Sequence, residues 1–177
     1  MKKILLSLMA VLAFGFAKAQ DKGPSDTMKF GVKAGANIST LAGNDVNEAK
    51  STTGFFIGGL VDLPLSGNFH LQPELMYSME GAKDAKLSFV RIPIMAKYYI
   101  MDGLNVQAGP EVAIKVGGDS GIDEFTKSLD YGLGIGAGYE MPMGLFGEAR
   151  YNLGLANIAK EGTINTASFQ IGIGYRF

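Results

Sequence analysis

The sequence contains no cysteine, no tryptophan and only one histidine, His70, among its 177 residues. The absence of thiols excludes a disulfide framework, metal sites built on thiolates and a cysteine for lipid attachment. Beyond Gln20, no apolar run reaches the ~20 residues that a membrane-spanning helix needs. The main part of the chain therefore has neither disulfide staples nor helical spans to organise it.

The first residues have the three parts of a secretory signal peptide. Lys2 and Lys3 precede an apolar run over residues 4–16, and Ala17-Lys18-Ala19 matches the small-residue cleavage pattern. The run is too short for a spanning helix, so we expect cleavage and export through the inner membrane. The predicted parts are a signal peptide at residues 1–19, an N-terminal tail at 20–27 and one domain at 28–177.

Cleavage would leave a mildly acidic chain. Removal of Lys2, Lys3 and Lys18 lowers Lys+Arg from 16 to 13 against 17 Asp+Glu. We expect no nucleic acid partner, because binding to phosphates needs clustered positive charge. Glycine is abundant, at 25 residues, and often occupies alternate positions, which is typical of strands rather than of flexible linkers.

The last ten residues, 168–177, alternate between apolar and polar side chains. Phe169, Ile171, Ile173, Tyr175 and Phe177 share one parity, whereas serine, glutamine, glycine and arginine occupy the other. A period of two indicates a strand with one apolar face, and a spanning strand needs roughly 9 to 11 residues. Similar alternation recurs in residues 28–37, 54–63, 69–79, 87–100, 104–115, 128–140 and 145–153.

Long polar segments and very short turns alternate between these eight segments. The predicted loops are residues 38–53, 80–86, 117–126 and 154–166, and the predicted turns are 64–67, 101–103 and 141–144. Short periplasmic turns, longer external loops and an even strand number are typical of outer-membrane barrels. A strand in hydrocarbon must also pair on both sides. We therefore predict an all-β fold, an eight-stranded antiparallel up-and-down transmembrane β-barrel with both chain ends on the periplasmic side.

Aromatic residues on the apolar parity lie near both ends of the predicted strands, with aliphatic residues between them. Two such girdles match the two membrane interfaces and favour an apolar face that contacts lipid. A soluble lipocalin-like ligand binder, with the apolar face turned inward, is the alternative. The predicted girdle residues are Phe30, Phe69, Tyr98 and Tyr139 near the short turns and Tyr77, Phe89, Tyr131 and Tyr151 near the long loops.

The opposite face carries long charged residues of both signs, interspersed with glycines. An eight-stranded barrel is just wide enough inside for side chains to fill it, and unpaired buried charges are very costly. We therefore predict a packed polar network in the lumen. Its predicted members are Lys33, Glu74, Lys97, Glu111, Asp130, Glu148, Arg150 and Arg176.

Two features disturb the regular pattern. The apolar parity changes within residues 87–100, which predicts a β-bulge near Val90 or Arg91. Pro73, Pro93 and Pro110 fall inside predicted strands and cannot donate to a hydrogen-bond ladder, so we expect local interruptions there.

Several segments resemble the PorT-like outer-membrane β-barrel family. They are F-G-V-K-A-G-A-N-I-S at 30–39, G-G-L-V-D-L-P-L and L-Q-P-E-L-M-Y-S within 58–78, R-I-P-I-M-A-K-Y-Y at 91–99, A-G-P-E at 108–111, G-I-G-A-G-Y-E at 134–140 and the terminal I-G-I-G-Y-R-F. The resemblance covers nearly all of the mature chain. It implies a porin-like barrel in the outer membrane of a Gram-negative cell envelope, inserted by the barrel-assembly machinery, which reads a C-terminal aromatic end such as Tyr175 and Phe177. It implies little about activity, although the best-known relative serves protein secretion.

No residue set in the sequence predicts catalysis. His70 lies near the periplasmic end, far from Ser78 and Ser168 at the external end, so we predict no enzyme and no cofactor. Acidic residues in the third loop form either a solvated loop or a divalent-ion site, and the solvated loop is favoured. These residues are Asp119, Asp123 and Glu124.

Three functions are compatible with these sequence features. The favoured one is a structural or interaction barrel of the cell envelope that acts through its external loops, because a filled lumen does not conduct freely. The family resemblance, and no other feature of the sequence, suggests an accessory role in secretion. A small passive pore for ions or solutes and the soluble ligand binder are the alternatives. The sequence names no protein partner for the loops.

Overall fold

The computed structural model describes residues 27–43, 51–82, 85–118, 129–155 and 164–177. The predicted signal peptide and nearly all of the predicted tail lie outside these described residues. The strands are β1 (Lys29–Gly43), β2 (Ser51–Ser66), β3 (Phe69–Ala82), β4 (Ala85–Tyr99), β5 (Leu104–Gly118), β6 (Leu129–Glu140), β7 (Leu145–Gly154) and β8 (Ile164–Arg176).

Every strand pairs antiparallel with its neighbour in the chain, and β1 also pairs with β8. The closing register runs from Gly31 opposite Arg176 to Gly43 opposite Ile164. The sheet is therefore a closed barrel, and the predicted fold is confirmed. In the described part of the chain, no helix has the length and apolar character to cross a membrane.

The alternation along β8 directs its two faces to opposite environments. Ile171 and Ile173 are 57% and 67% exposed on the outer surface, whereas the inward-facing Gln170 is 2% exposed. The apolar parity points outward in the other strands too, and the buried interior is rich in charged and amide side chains. The lipocalin-like alternative, which needs an apolar interior, is therefore wrong.

The strands extend farther toward the external end than predicted. β1 and β2 continue to pair through Ser39 opposite Thr52 and Thr40 opposite Ser51, in a segment predicted to be a loop. The backbone ladder stabilises the pairing there without the apolar alternation of the preceding residues. The apolar pattern therefore ends before the strand does.

The short turns depend on glycine. Gly67, Gly103 and Gly144 have φ angles of 54°, 78° and 90°, a region that other residues rarely adopt. Each lies within a segment that the sequence predicts to be a turn. We call the end of the barrel with these turns and both chain ends the periplasmic end, and the opposite end the external end.

The predicted bulge in β4 is wrong. β4 keeps one register against β3, from Phe69 opposite Tyr98 to Ala82 opposite Ala85. The slip lies in β5, where Ser88 pairs with Gly117 but Phe89 pairs with Lys115, so Val116 is the extra residue.

Phe89 is consequently misassigned to the outer girdle. It pairs directly with Ser78, a buried residue of the inner face, and the Arg91 guanidinium lies 5.4 Å from the centre of its ring. Because β4 has no bulge, Phe89 keeps the inward parity of Arg91. The apparent change of apolar parity along β4 therefore arises because Phe89 is an aromatic residue that points into the barrel.

The prolines interrupt the ladder, as predicted. Pairing of β3 with β4 stops at Pro73 opposite Ile94 and resumes at Met76 opposite Arg91. Pairing of β4 with β5 likewise stops at Pro93 and resumes at Ala96. The first gap contains Pro93 and the second contains Pro110, and the missing N–H of these prolines accounts for the lost pairing. Pairing of β2 with β3 likewise skips from Leu60 opposite Glu74 to Leu63 opposite Leu71, an interval that contains Pro73.

Candidate functional site in the barrel lumen

All eight charged residues predicted for the lumen are buried inside the barrel. They lie in three clusters along its axis, together with charged residues that the sequence patterns did not indicate. The central cluster is Lys33, Glu74, Glu148 and Arg150. The periplasmic cluster is Asp62, His70, Lys97, Glu140 and Arg176. The external cluster is Arg91, Glu111 and Asp130.

The central cluster contains two cations and two carboxylates in mutual contact. Lys33 Nζ lies 2.7 Å from Glu74 Oε2 and 2.5 Å from Glu148 Oε1. Arg150 donates from Nη1 and Nη2 to the two carboxylate oxygens of Glu74, at 2.9 and 2.7 Å. This bidentate geometry is the strong form of an ion pair, and the four charges sum to zero.

Two glutamines complete the central cluster. Gln107 donates to Glu148 Oε2 at 3.2 Å and accepts from Arg150 Nη2 at 3.1 Å. Gln72 donates to Glu74 Oε1 at 2.7 Å. The cluster thus joins side chains from β1, β3, β5 and β7, alternate strands around the barrel, and crosses the lumen.

Arg176, the penultimate residue of the sequence, is the centre of the periplasmic cluster. Its guanidinium donates to Gln72 Oε1 at 2.8 Å and to the Tyr99 hydroxyl at 2.9 Å, and it pairs with Glu140. It also lies 3.1 Å from Asp62 Oδ2. One side chain of β8 therefore connects with β2, β3, β4 and β6.

The rest of the periplasmic cluster surrounds Asp62. Lys97 Nζ lies 3.3 Å from Asp62 Oδ2, and His70 Nδ1 lies 2.5 Å from Asp62 Oδ1. The Tyr99 hydroxyl donates to Glu140 Oε2 at 2.7 Å. His70 contacts the Asp62 carboxylate and packs edge-on against Tyr99, at 4.8 Å between ring centres.

The external cluster pairs Arg91 with Glu111 and lines a cleft. The free volume of this cleft is about 10 Å³, roughly the space of one water molecule. Its lining consists of Arg91, Glu111, Ala113, Asp130, Tyr131, Gly132, Asn152, Gly154 and Ser168.

Aromatic rings also fill the lumen, and each lies against a cation. Lys33 Nζ is 5.8 Å from the centre of the Phe56 ring, and the Arg176 guanidinium is 4.6 Å from that of Phe146. Such contacts stabilise a desolvated cation by about 0.5–2 kcal/mol. Gly35 and Gly172 lie beside the Phe56 ring, where a larger residue would collide with it.

Among the residues whose burial the structure describes, sequence reasoning missed three acidic or basic residues of the lumen. Arg91 was not assigned to the inner face because a bulge was predicted at that position. Asp62 was not recognised because it shares its parity with the apolar Phe56 and Leu60. Glu140 ends a strand beside a turn. A stricter parity rule, with every inward charged residue counted whatever its neighbours, would have found all three.

The remaining girdle residues and the C-terminal aromatics lie on the outward parity. Phe69 and Tyr98 pair across strands, with ring centres 5.4 Å apart and planes at 57°. The backbone N–H of Phe177 donates to the carbonyl oxygen of Phe30 at 2.9 Å. The position of the girdles at the membrane interfaces stays a prediction. The outward residues are Phe30, Phe69, Tyr77, Tyr98, Tyr131, Tyr139, Tyr151, Tyr175 and Phe177.

Among the residues that the structure describes, no group of three or more His, Asp and Glu side chains is arranged to hold a metal ion. The acidic loop residues Asp119, Asp123 and Glu124 lie outside the described residues. Their role in binding a divalent ion stays a hypothesis.

Comparison with known proteins agrees with this architecture. Residues 18–160 match the outer membrane protein beta-barrel domain family. The chain belongs to this family. It is therefore a protein of the outer membrane, with its apolar outer face in the bilayer.

Two solved structures illustrate the likeness. Neisserial surface protein A (NspA) is 14% identical, with a TM-score of 0.58 over 84% of this chain and 97% of that one. Ail, the attachment invasion locus protein of Yersinia pestis, is 12% identical, with a TM-score of 0.52 over 84% and 98%. At such identities the likeness shows the fold alone. No curated protein matches the sequence significantly.

Proposed function

We propose that this protein is a structural or interaction barrel of the cell envelope, with a lumen closed to free ion flow and external loops that contact a partner. The central cluster is the main support for this proposal. Its side chains come from four alternate strands and meet in mutual ion pairs and hydrogen bonds. A hydrated ion could pass only if these pairs were broken.

Breaking the central cluster is energetically expensive. Removal of one partner from a buried ion pair typically costs about 3–5 kcal/mol, because the remaining charge is left uncompensated. Thermal opening of such a cluster is therefore rare, and we expect the resting barrel to be electrically silent.

Single-channel recording in planar bilayers tests this proposal. The wild-type barrel should show no channel openings, and the double variant Glu74→Ala/Arg150→Ala should show small, frequent ones. This pair of substitutions removes one positive and one negative charge, so the Lys33–Glu148 pair remains neutral. Ile171→Ala, on the lipid-facing side, is the control and should stay silent. Regular openings of the wild type would overturn the proposal and support the passive pore.

We further propose that the chain is a PorT-like member of its family and is accessory to protein secretion. The support is the resemblance of several strand segments, such as R-I-P-I-M-A-K-Y-Y at 91–99. Deletion of the gene in its host should lower the amount of secreted protein in the medium. Unchanged secretion with intact outer membranes would contradict this role.

Partner binding through the loops has its own test. A photo-crosslinking residue placed within residues 44–50 or 119–128, which connect strands at the external end, should capture one recurrent protein. Asp102, in a short turn at the opposite end, is the control position. Equal products at both ends would argue against a loop-specific partner.

Assembly is proposed to depend on the aromatic C-terminus. Tyr175 and Phe177 point outward from the last strand and are available to an insertion machinery. Phe177→Ala should slow insertion, measured as delayed appearance of the heat-modifiable form on gels. Insertion at the wild-type rate would contradict this role.

A further inference from the structure

Three buried glutamines of the lumen differ in their partners. Gln72 and Gln107 use both ends of the side-chain amide in hydrogen bonds to charged neighbours. Gln170 is equally buried, at 2% exposure, yet neither its Nε2 nor its Oε1 has a partner among the described residues. A buried amide without partners is unusual and needs an explanation.

Gln170 has neighbours of the same kind. Within the described part of the protein, Asn37 Oδ1 and Asn152 Oδ1 also lack a hydrogen-bond partner. Gln170 pairs directly with Asn37 on β1 and with Arg150 on β7, and Asn152 pairs with Ser168 on β8. The strand register thus places Asn37 and Gln170 at the level of Arg150, and Asn152 one inward position farther toward the external end.

The chemistry of these groups identifies what binds them. Gln170 offers a donor and an acceptor, and the two asparagines offer acceptors, whereas the central cluster beneath them is electrically neutral. This mixture suits a small neutral molecule that both donates and accepts hydrogen bonds. Water meets the requirement, and internal waters typically make about three such bonds.

A small cleft adjoins one of these amides, that of Asn152. The cleft of the external cluster shares Asn152 and Ser168 with them and has space for roughly one water molecule. Gly132 and Gly154 line the same cleft. Toward the periplasm, Arg150 and its two carboxylate partners close the path.

We propose that the external half of the lumen is a blind, hydrated chamber. Bound water hydrogen-bonds Asn37, Asn152 and Gln170, and the central cluster forms the floor of the chamber. The central cluster thus separates this hydrated chamber from the periplasmic half of the lumen, which goes beyond the closure of the lumen to ions.

The absence of cysteine from the chain makes a direct test possible. Single cysteines are introduced at Asn152 and Gln170 in the chamber, at Gln107 below it and at Ile171 facing lipid. The barrels are reconstituted in lipid and treated with a water-soluble methanethiosulfonate reagent from the external side. Asn152→Cys and Gln170→Cys should react roughly tenfold or more faster than Gln107→Cys, which is reached only through local opening. Ile171→Cys should stay unreactive.

The outcomes distinguish a wet chamber from a dry or an open lumen. Equally slow reaction at all lumen positions would overturn the chamber, because it would mean a dry external half. A reaction at Gln107→Cys as fast as at Gln170→Cys would show that the central cluster does not close the chamber. Channel openings in the bilayer recording would agree with that result. Bilayer recordings without openings, combined with slow reaction at Gln170→Cys, would contradict the hydrated chamber but would still support a lumen closed to ions.

A second measurement needs no variant. In wild-type barrels with labelled glutamine side chains, the Gln170 amide should show cross-relaxation with water in NMR spectra, and those of Gln72 and Gln107 should not. This readout keeps the proposal testable if a lumen cysteine prevents folding. Absence of a water signal at Gln170 would overturn it.

Discussion

The periplasmic and external halves of the lumen hold buried polar groups in different ways. On the periplasmic side, Asp62, Lys97, Glu140 and Arg176 form a charged cluster in which each member contacts an opposite charge. On the external side, amides such as Gln170 lack a partner among the described residues. The periplasmic charges therefore have protein partners, although Asn105 Oδ1 and Arg176 Nε lack one among the described residues, whereas the whole amide of Gln170 depends on solvent.

The difference reflects what each kind of group requires. An isolated buried charge is far more costly than an unpaired amide, so charged residues need protein partners wherever they lie. Even in the external half, Glu111 pairs with Arg91. Glu111 and Arg150 each leave one polar atom without a partner among the described residues but pair through another atom, whereas Gln170 has a partner at neither end of its amide. A water molecule can meet the needs of that amide. Substitutions in each half of the lumen test this difference.

The largest loss of stability is expected for a substitution in the central cluster, which separates the two halves of the lumen. Arg150→Ala removes the bidentate partner of Glu74 and should lower the free energy of unfolding by about 3–5 kcal/mol. Urea titration of the detergent-folded barrel, followed by circular dichroism, measures this loss. A thermal melt of the same sample should show a lowered unfolding temperature. An unchanged midpoint would show that the central cluster does not stabilise the barrel.

A smaller loss is expected at the external cluster. Glu111→Ala leaves Arg91 without this carboxylate, but the cleft gives its guanidinium access to water. We expect a decrease of about 1–3 kcal/mol, the range for a buried polar group that loses its partner. The same titration checks it. A loss as large as that of Arg150→Ala would contradict a hydrated external half.

The glutamines provide a matched pair. Gln107→Leu leaves Glu148 and Arg150 with fewer hydrogen bonds and should cost about 1–3 kcal/mol. Gln170→Leu replaces an amide that has no described protein partner, so we expect a change within roughly 0.5 kcal/mol. Equal losses for the two variants in urea titration would mean that both halves are packed alike.

The smallest effect is expected at the periplasmic rim. Lys29 lies 3.9 Å from Glu140, and its side chain is 54% exposed. Such surface pairs contribute about 0–1 kcal/mol, so Lys29→Ala should leave the urea midpoint almost unchanged. A marked loss would show that the periplasmic cluster extends to the surface.

Much of this architecture could be predicted from the sequence. The parity of residues 168–177, which recurs in seven other segments, identifies the strands, and the spacing of turns indicates an even-numbered barrel. The prediction fails at Phe89 and at the bulge near Val90. Because Phe89 is aromatic, it was assigned to the lipid-facing side, and a bulge was then needed to explain the later residues of the strand. It also ends strands too early at residues 38–53, where pairing continues without apolar alternation.

The sequence by itself determined the two faces of the barrel wall, because a period of two separates outward Ile171 from inward Gln170 in any regular strand. It also determined that inward charges must pair. Only the tertiary structure decided which ones do, since residues 76 positions apart, such as Glu74 and Arg150, meet through the stagger of the closed barrel. That stagger gives Gln107 two charged partners and leaves Gln170 with none among the described residues, although the two glutamines are chemically identical.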